Sequence, residues 1–253
     1  MKLEMPRMRL LLKIAKKDWR EIKSNKQILV PMLVLPFLVT IFYPLVLVTA
    51  LLSDTGEYSS PGELQMVVDM VIGNIIRSMF VMIPLLITMA IASDSWAGEK
   101  ERKTAESLFL LPLSDTELFV AKVLASFIPG MLITWGCWVG LTIILDSLLF
   151  PYLGYLYMPD LTWIFLVFVF SPILAFFSIY VNCWVSYRAK DTKSAQQVGG
   201  SVVTIFIGVL ISGFLGVLNF TIIVLTIIIG IVDLILVYFS PRIFSREAMI
   251  AKF

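Results

Sequence analysis

Long runs of apolar residues separated by short polar stretches constrain the fold of this chain more than any other feature. The first run, from Ile28 to Leu52, contains no charged residue. A bilayer core is about 30 Å thick and takes roughly 20 residues of helix to cross, and a helix pairs all of its own backbone N–H and C=O groups. Hydrophobic residues make up 59% of the sequence, above the roughly 45–50% of soluble domains. The chain is therefore predicted to be an all-α integral membrane protein.

The lengths of the runs predict six transmembrane helices within residues 28–240. After the first, spans are expected near 71–92, at 123–145 and from 161 to about 187. Residues 194–232 are free of charge for long enough to cross twice at about 1.5 Å per residue, with Gly213, Gly216 and Asn219 marking the reversal. A re-entrant segment near 213–219 or 150–157 is the alternative. Arg77 interrupts the second span and is expected to extend its side chain outward to the headgroups.

The distribution of basic residues predicts the orientation. The first 26 residues hold nine Lys and Arg, and the remaining bases, Arg77 apart, lie in residues 93–122, after the fourth span and at the C-terminus. The opposite loops, 53–65 and 147–160, are acidic or tyrosine-rich. Under the positive-inside rule both termini and residues 94–117 are cytoplasmic. We therefore expect a multi-pass protein of the cell membrane with a cytoplasmic tail at residues 241–253.

The N-terminal segment, residues 1–27, is predicted to be an amphipathic helix lying at the membrane surface. Apolar residues fall on one helical face, and lysines and arginines occupy the rest. The apolar face consists of Leu11, Ile14, Ala15, Trp19 and Ile22. The segment is not read as a cleavable signal peptide, because the apolar run behind it is too long.

A charged island at residues 94–117 separates the second and third apolar runs. Glu99 and Lys103 stand at the helical i,i+4 spacing in the favourable acid-first order. Pro112 is expected to end that helix, and Ser114 with Glu117 forms a capping box that starts the next one. The alternative is a solvated charged helix, which the apolar strip at 108–113 disfavours.

The island resembles the first cytoplasmic loop of type-2 ABC exporter permeases. The matching residues are Gly98, Glu99, Glu101, Arg102, Thr104, Glu106, Leu108, Leu111, Pro112, Leu113, Ser114, Ala121 and Lys122. The resemblance implies that fold, with this loop as the coupling element for a separate ABC ATPase subunit. The implied contact residues are Glu99, Glu101, Arg102, Thr104, Glu106, Leu108, Leu111 and Pro112.

The resemblance extends beyond the island. Lys17, Trp19 and Arg20 resemble the family's elbow helix, which also touches the ATPase; a generic basic anchor is the alternative. It further implies ATP-driven export by two permease copies or two related permeases, surrounded by membrane lipid. ATP and Mg²⁺ would be bound by the ATPase subunits, with no cofactor in this chain.

No catalytic or metal site is predicted from the residues themselves. The sequence has no histidine, which removes the HExxH zinc motif, and Lys103-Thr104 lacks the preceding glycine of a phosphate loop. Asp233 stands without a partner motif and is assigned a structural or a functional role, while Cys137 and Cys183 are expected to pack. An ATP-independent channel or carrier, or a membrane lipid enzyme, is the alternative function. Drugs, peptides, lipids, polysaccharides and ions all remain open as substrates, and nothing indicates nucleic acid.

Small residues recur at every fourth position along the predicted fifth span. They are Gly200, Thr204, Gly208, Ser212 and Gly216. Such a stripe lets helix backbones approach closely in lipid. It is expected to lie either at a contact within one subunit, or at the subunit interface or the transport pathway.

Overall fold

The computed structural model describes residues 19–20, 26–53, 61–98, 114–188, 194, 197 and 207–243, and the structural statements below concern these residues. They contain helices and no strand, which confirms the predicted all-α class. We label the helices α1 (26–53), α2 (61–98), α3 (Asp115–Leu153), α4 (161–188), α5 (Ile207–Phe214) and α6 (Leu218–Ile243).

Five of the described helices are long and apolar enough to cross a membrane. These candidate spans are Met32–Ser53, Gly62–Trp96, Thr116–Leu153, Leu161–Ser186 and Leu218–Tyr238. Of the predicted fifth span, the structure describes α5 together with the isolated residues Ser194 and Gln197. The count of six spans therefore stays a prediction.

Helix α2 begins at Pro61, well before the boundary predicted near Val71. Proline is favoured at the first helical position, where its missing N–H costs no hydrogen bond. Leu64, Val68 and Ile72 follow at every fourth position, and all three are buried. The following part of the helix, residues 71–76, contacts α1 and α5. The buried positions before and after Val71 follow one continuous helical period, so the helix already exists before the boundary that hydropathy alone indicated.

Helices α2 and α4 form the centre of the bundle. Of an 18-residue apolar stretch in the span of α2, 67% is buried, against 11% of such a stretch in the span of α6. Polar side chains of α4 tie the two helices together: Ser178 Oγ donates to the carbonyl of Leu85 at 2.9 Å, and Asn182 Nδ2 donates to that of Met89 at 2.9 Å. Ser93 Oγ of α2 donates in turn to Asn182 Oδ1 at 2.9 Å. These bonds join α2 and α4 along the half of the bundle that contains the last turns of α2.

Helices α5 and α6 are joined by a tight turn, which confirms the predicted reversal. Gly216 has a φ of 73°, a left-handed conformation that glycine adopts without steric cost. The Gly216 N–H donates to the carbonyl of Gly213 at 3.2 Å, and the Val217 N–H donates to that of Ser212 at 3.0 Å. This is the Schellman arrangement that ends helices. At the 150–157 stretch the chain leaves α3 at Gly154 and has no helix before Leu161. A re-entrant segment near 213–219 or 150–157 stays the alternative.

Candidate coupling site

The predicted coupling loop joins the end of α2 to the start of α3. Its described parts are residues 94–98 and 114–117, while residues 99–113 lie outside the described part of the chain. All eight predicted ATPase contacts lie in that gap and stay predictions: Glu99, Glu101, Arg102, Thr104, Glu106, Leu108, Leu111 and Pro112. The described residues supply the frame that holds both ends of this loop.

Lys122 of α3 fastens the end of α2. Its side chain is buried, and its Nζ donates a short hydrogen bond to the carbonyl oxygen of Ser95. The same Nζ lies 4.9 Å from the centre of the Trp96 ring. The last carbonyls of a helix have no partner within the helix, and a basic side chain there satisfies them and offsets the negative end of the helix dipole. Lys122 therefore stabilises the last turn of α2 from a neighbouring helix.

Aromatic contacts link a third helix, α4, to the same ends of α2 and α3. The Trp96 ring of α2 lies 5.8 Å from the Phe119 ring of α3, and the Phe119 ring lies 5.5 Å from the Tyr180 ring of α4. Ring pairs at such separations stabilise by about 0.5–1.5 kcal/mol beyond the area that they bury. We call Ser95, Trp96, Phe119, Lys122 and Tyr180 the inner clamp.

The start of α3 has the predicted capping box, which the structure confirms. The Ser114 N–H donates to Glu117 Oε2 at 2.8 Å, and the Glu117 N–H donates to Ser114 Oγ at 3.3 Å. Reciprocal bonds of this kind satisfy backbone donors that the first turn of a helix leaves unpaired. The loop therefore enters α3 at a defined residue, one turn before the inner clamp begins.

Two of the three predicted elbow residues are described. Trp19 is half-buried and packs against the hydrophobic core, whereas Arg20 is exposed. Lys17 lies outside the described residues. The docking role of all three stays a prediction.

The predicted stripe of small residues divides into parts with different surroundings. Gly200 and Thr204 lie outside the described residues. A Cβ atom at Gly208 would meet no described atom within 4 Å, whereas Ser212 is buried. Gly216 lies in the turn beyond α5, so the helical stripe does not reach it, contrary to the sequence prediction.

Helix α5 approaches α2 closely at Gly213, which the sequence indicated only as a turn residue. A Cβ atom there would lie 3.0 Å from the carbonyl oxygen of Asn74 and 3.0 Å from Ser78 Oγ. Both partners belong to α2, so α5 packs against α2 through Gly213.

The Arg77 side chain does not extend outward from the bundle, which corrects the sequence prediction. It is 3% exposed; its Nη2 forms an ion pair with Asp160 Oδ2 at 2.8 Å, and its Nη1 donates to Asn219 Oδ1 at 3.1 Å. The guanidinium carbon also lies 5.3 Å from the centre of the Trp163 ring. Ionisable groups in membrane helices usually pair inside the bundle. Here the partners are Asp160, immediately before α4, and Asn219 of α6. We call Arg77, Asp160, Trp163 and Asn219 the distal cluster.

A second hydrogen bond ties the 154–160 loop to α2 at the same end. The Tyr157 hydroxyl donates to Asp69 Oδ1 at 3.0 Å. Burial raises the pKa of Tyr157, and the negative charge of Asp69 raises this pKa further. The phenol therefore stays protonated and keeps donating at neutral pH.

The remaining candidates from the sequence form no recognisable reactive site. Asp233 is 9% exposed, and its Oδ1 accepts no hydrogen bond from the described residues. Cys137 is half-buried and Cys183 is buried. No group of three or more His, Cys, Asp or Glu that would hold a metal ion occurs within the described ranges.

The described helices are apolar and long enough to cross a membrane, and buried polar side chains join them to each other. Contacts between α2 and α3 hold together the two ends of the polar loop. These features define the chain as a multi-pass membrane protein. A family model described as "ABC-2 family transporter protein" matches residues 12–242. The chain therefore belongs to the ABC-2 transporter family and is a permease subunit of an ABC transporter. No curated protein and no solved structure matches it.

Proposed function

We propose that this permease couples ATP hydrolysis by a separate ATPase subunit to the export of a substrate across the cell membrane. The observation that carries this proposal is the inner clamp, which holds both ends of the charged loop against the central helices. ATP and Mg²⁺ would bind to the ATPase subunit. Two permease copies, or this chain and a related one, would form the pathway with two ATPase subunits.

The clamp accounts for how movement of the loop would reach the membrane. A loop tethered to one flexible helix end would absorb a displacement. Here Lys122 and Phe119 of α3 contact the end of α2, and Tyr180 adds α4. Packed elements of this kind shift between discrete arrangements, so an ATPase that moves the loop would move these three helices together.

Charge reversal in the loop tests the docking role. The double variant Glu99→Lys, Glu101→Lys leaves the apolar spans unchanged and should insert normally, but like-charge contact should weaken ATPase binding. The measurement is copurification of the ATPase subunit with the tagged permease, followed by ATP-dependent transport in vesicles. The matched control, Asp191→Lys with Glu247→Lys, makes the same change of charge on the same predicted side of the membrane, outside the loop and the elbow helix.

Loss of copurification in the loop variant alone would support docking on this loop. Full binding and transport in the loop variant would contradict the assignment. Transport that continues without any ATPase subunit would instead favour an ATP-independent carrier. Screening candidate compounds for stimulation of ATP hydrolysis by the reconstituted complex would identify the substrate class.

Thiol labelling tests the proposed orientation. Single cysteines at Ser59 and Ser107, in a background where Cys137 and Cys183 are replaced by alanine, should react with an impermeant reagent from opposite sides. The Ser59 position should react in intact cells, and the Ser107 position only after the membrane is opened. Reaction of both positions from outside would contradict a cytoplasmic coupling loop.

A further inference from the structure

An open groove of about 460 Å³ lies on the side of the bundle between the first turns of α4 and α6. Its lining is almost entirely apolar, and exposed side chains such as Leu161, Phe168 and Ile223 contribute to it. The remaining lining residues are Thr162, Ile164, Phe165, Val169, Asn219 and Ile222. From Leu161 to Phe168 the groove follows α4 for about 10 Å, at about 1.5 Å per residue. These dimensions suit a segment of one hydrocarbon chain.

The distal cluster forms a polar rim at one end of the groove. Asn219 lines the groove and accepts a hydrogen bond from Arg77, and Asp160 immediately precedes the lining residue Leu161. The Asp160 side chain is 44% exposed, whereas that of its partner Arg77 is 4% exposed. The charge accessible at the rim is therefore the carboxylate.

The other charged residues at the same end of the bundle also make it negative. Among the described residues there, the buried Arg77 is the one basic side chain. The acidic ones are Glu63, Asp69, Asp146 and Asp160. A cationic group is therefore favoured at the rim, and an anionic headgroup is disfavoured.

We propose that the groove binds one acyl chain of a membrane lipid whose ammonium headgroup lies against Asp160. The hydrocarbon chain gains little from the groove over bulk lipid, because both surroundings are equally apolar. Selectivity therefore comes from the headgroup, through attraction between the ammonium and the exposed carboxylate. Asn219 Oδ1 accepts a hydrogen bond from Arg77, and the N–H donors of the same amide suit a phosphate oxygen of the lipid.

Fluorescence quenching by brominated lipids tests the proposal on the full-length chain. A cysteine, which is smaller than isoleucine, is introduced at Ile223, in the groove, or at Ile231, two turns further along α6. It carries an environment-sensitive fluorophore on a flexible linker, so that the dye lies in the adjacent lipid and leaves the groove open. The two side chains are 51% and 53% exposed, and all other cysteines are removed. The protein is placed in equimolar phosphatidylethanolamine and phosphatidylglycerol, with bromine on one lipid or on the other. Because total composition is constant, the quenching ratio measures which headgroup is enriched beside the probe.

We expect brominated phosphatidylethanolamine to quench the Ile223 probe about 1.4- to fivefold more than brominated phosphatidylglycerol, the range for one exposed ion pair. The ratio at Ile231 should be close to one. Asp160→Asn should return the Ile223 ratio to one. Since that change also removes the ion-pair partner of a buried arginine, Val169→Trp is the second variant; its indole fills the groove without touching the distal cluster and should also return the ratio to one.

Three results would overturn the proposal. The first is a ratio near one, or a preference for phosphatidylglycerol, at Ile223 in the otherwise unchanged chain. The second is a preference that persists in both variants. The third is weak quenching by either lipid, together with a disulfide between two unlabelled copies of the Ile223→Cys variant, since a second copy of the chain would then cover the groove.

Discussion

The packing of α2 against α3 predicts a destabilising Gly130→Ala substitution. A Cβ atom at Gly130 would lie 2.4 Å from Thr88 Cγ2, whereas carbon atoms in contact prefer about 3.5–4.0 Å. Thr88 is buried, and its Oγ1 donates to the carbonyl of Pro84 at 2.6 Å. Rotating the threonine away from the new methyl group would break this hydrogen bond, so the helices must move apart instead.

The expected change in unfolding free energy for Gly130→Ala is the balance of a packing cost and a gain in helix propensity. Overpacking a close contact costs about 1–3 kcal/mol, while replacing glycine by alanine in a helix gains about 1 kcal/mol in aqueous model systems. Gly140 lies in the same helix, and a Cβ atom there would meet no described atom within 4 Å. Gly140→Ala therefore has only the favourable term, and the difference in unfolding free energy between the two variants measures the overpacking.

A second substitution locates the clash in one methyl group. Thr88→Ser removes Cγ2 and keeps the hydroxyl; the next nearest atoms, Thr88 Cβ and Cα, would lie at 3.6 and 3.8 Å from the new carbon. Alone, Thr88→Ser should cost about 1 kcal/mol for the lost methyl group. With Gly130→Ala it should restore much of the stability, as a favourable coupling of about 1–3 kcal/mol in a double-mutant cycle.

Unfolding of the purified chain by dodecyl sulfate in mixed micelles, followed by circular dichroism, supplies the four free energies. Equal stability of Gly130→Ala and Gly140→Ala would refute the close approach of α2 and α3. Additive effects of the Thr88 and Gly130 substitutions would refute the assignment of the clash to Thr88 Cγ2.

Two further predictions concern the inner clamp and the small-residue stripe. Lys122→Met keeps the aliphatic stem but removes a charged hydrogen bond worth about 1.5–3 kcal/mol and the cation above Trp96. Transport per ATP hydrolysed should therefore fall while the ATPase subunit still copurifies. An unchanged ratio of transport to hydrolysis would contradict the role of the clamp. Gly208→Leu should leave insertion and stability of one copy unchanged, because nothing described lies near its Cβ, and should reduce crosslinking between copies if a second copy packs there. Gly213→Leu is the matched control and should destabilise the single copy; a destabilised Gly208→Leu monomer would place that stripe inside one subunit.

Features set by neighbouring residues were predictable from the sequence. The capping box at Ser114 and Glu117 involves residues three apart, and the reversal at Gly216 requires a local conformation that glycine favours. The long helices follow from apolar runs, because a backbone in lipid must bond within itself. The start of α2 was misplaced, since average hydropathy does not detect a buried stripe whose other positions are exposed.

The sequence by itself determined the all-α membrane class, most helices and the local signals that end or start them, because those depend on short-range bonding and on transfer into lipid. Only the tertiary structure decided which side chains meet. Arg77 contacts Asp160 and Asn219, which lie 83 and 142 positions away along the chain, and Lys122 reaches a carbonyl 27 positions away. A buried charge or an unpaired carbonyl requires a partner, but its identity depends on how the helices pack. The ion pair at one end of the bundle and the clamp at the other therefore came from the three-dimensional arrangement.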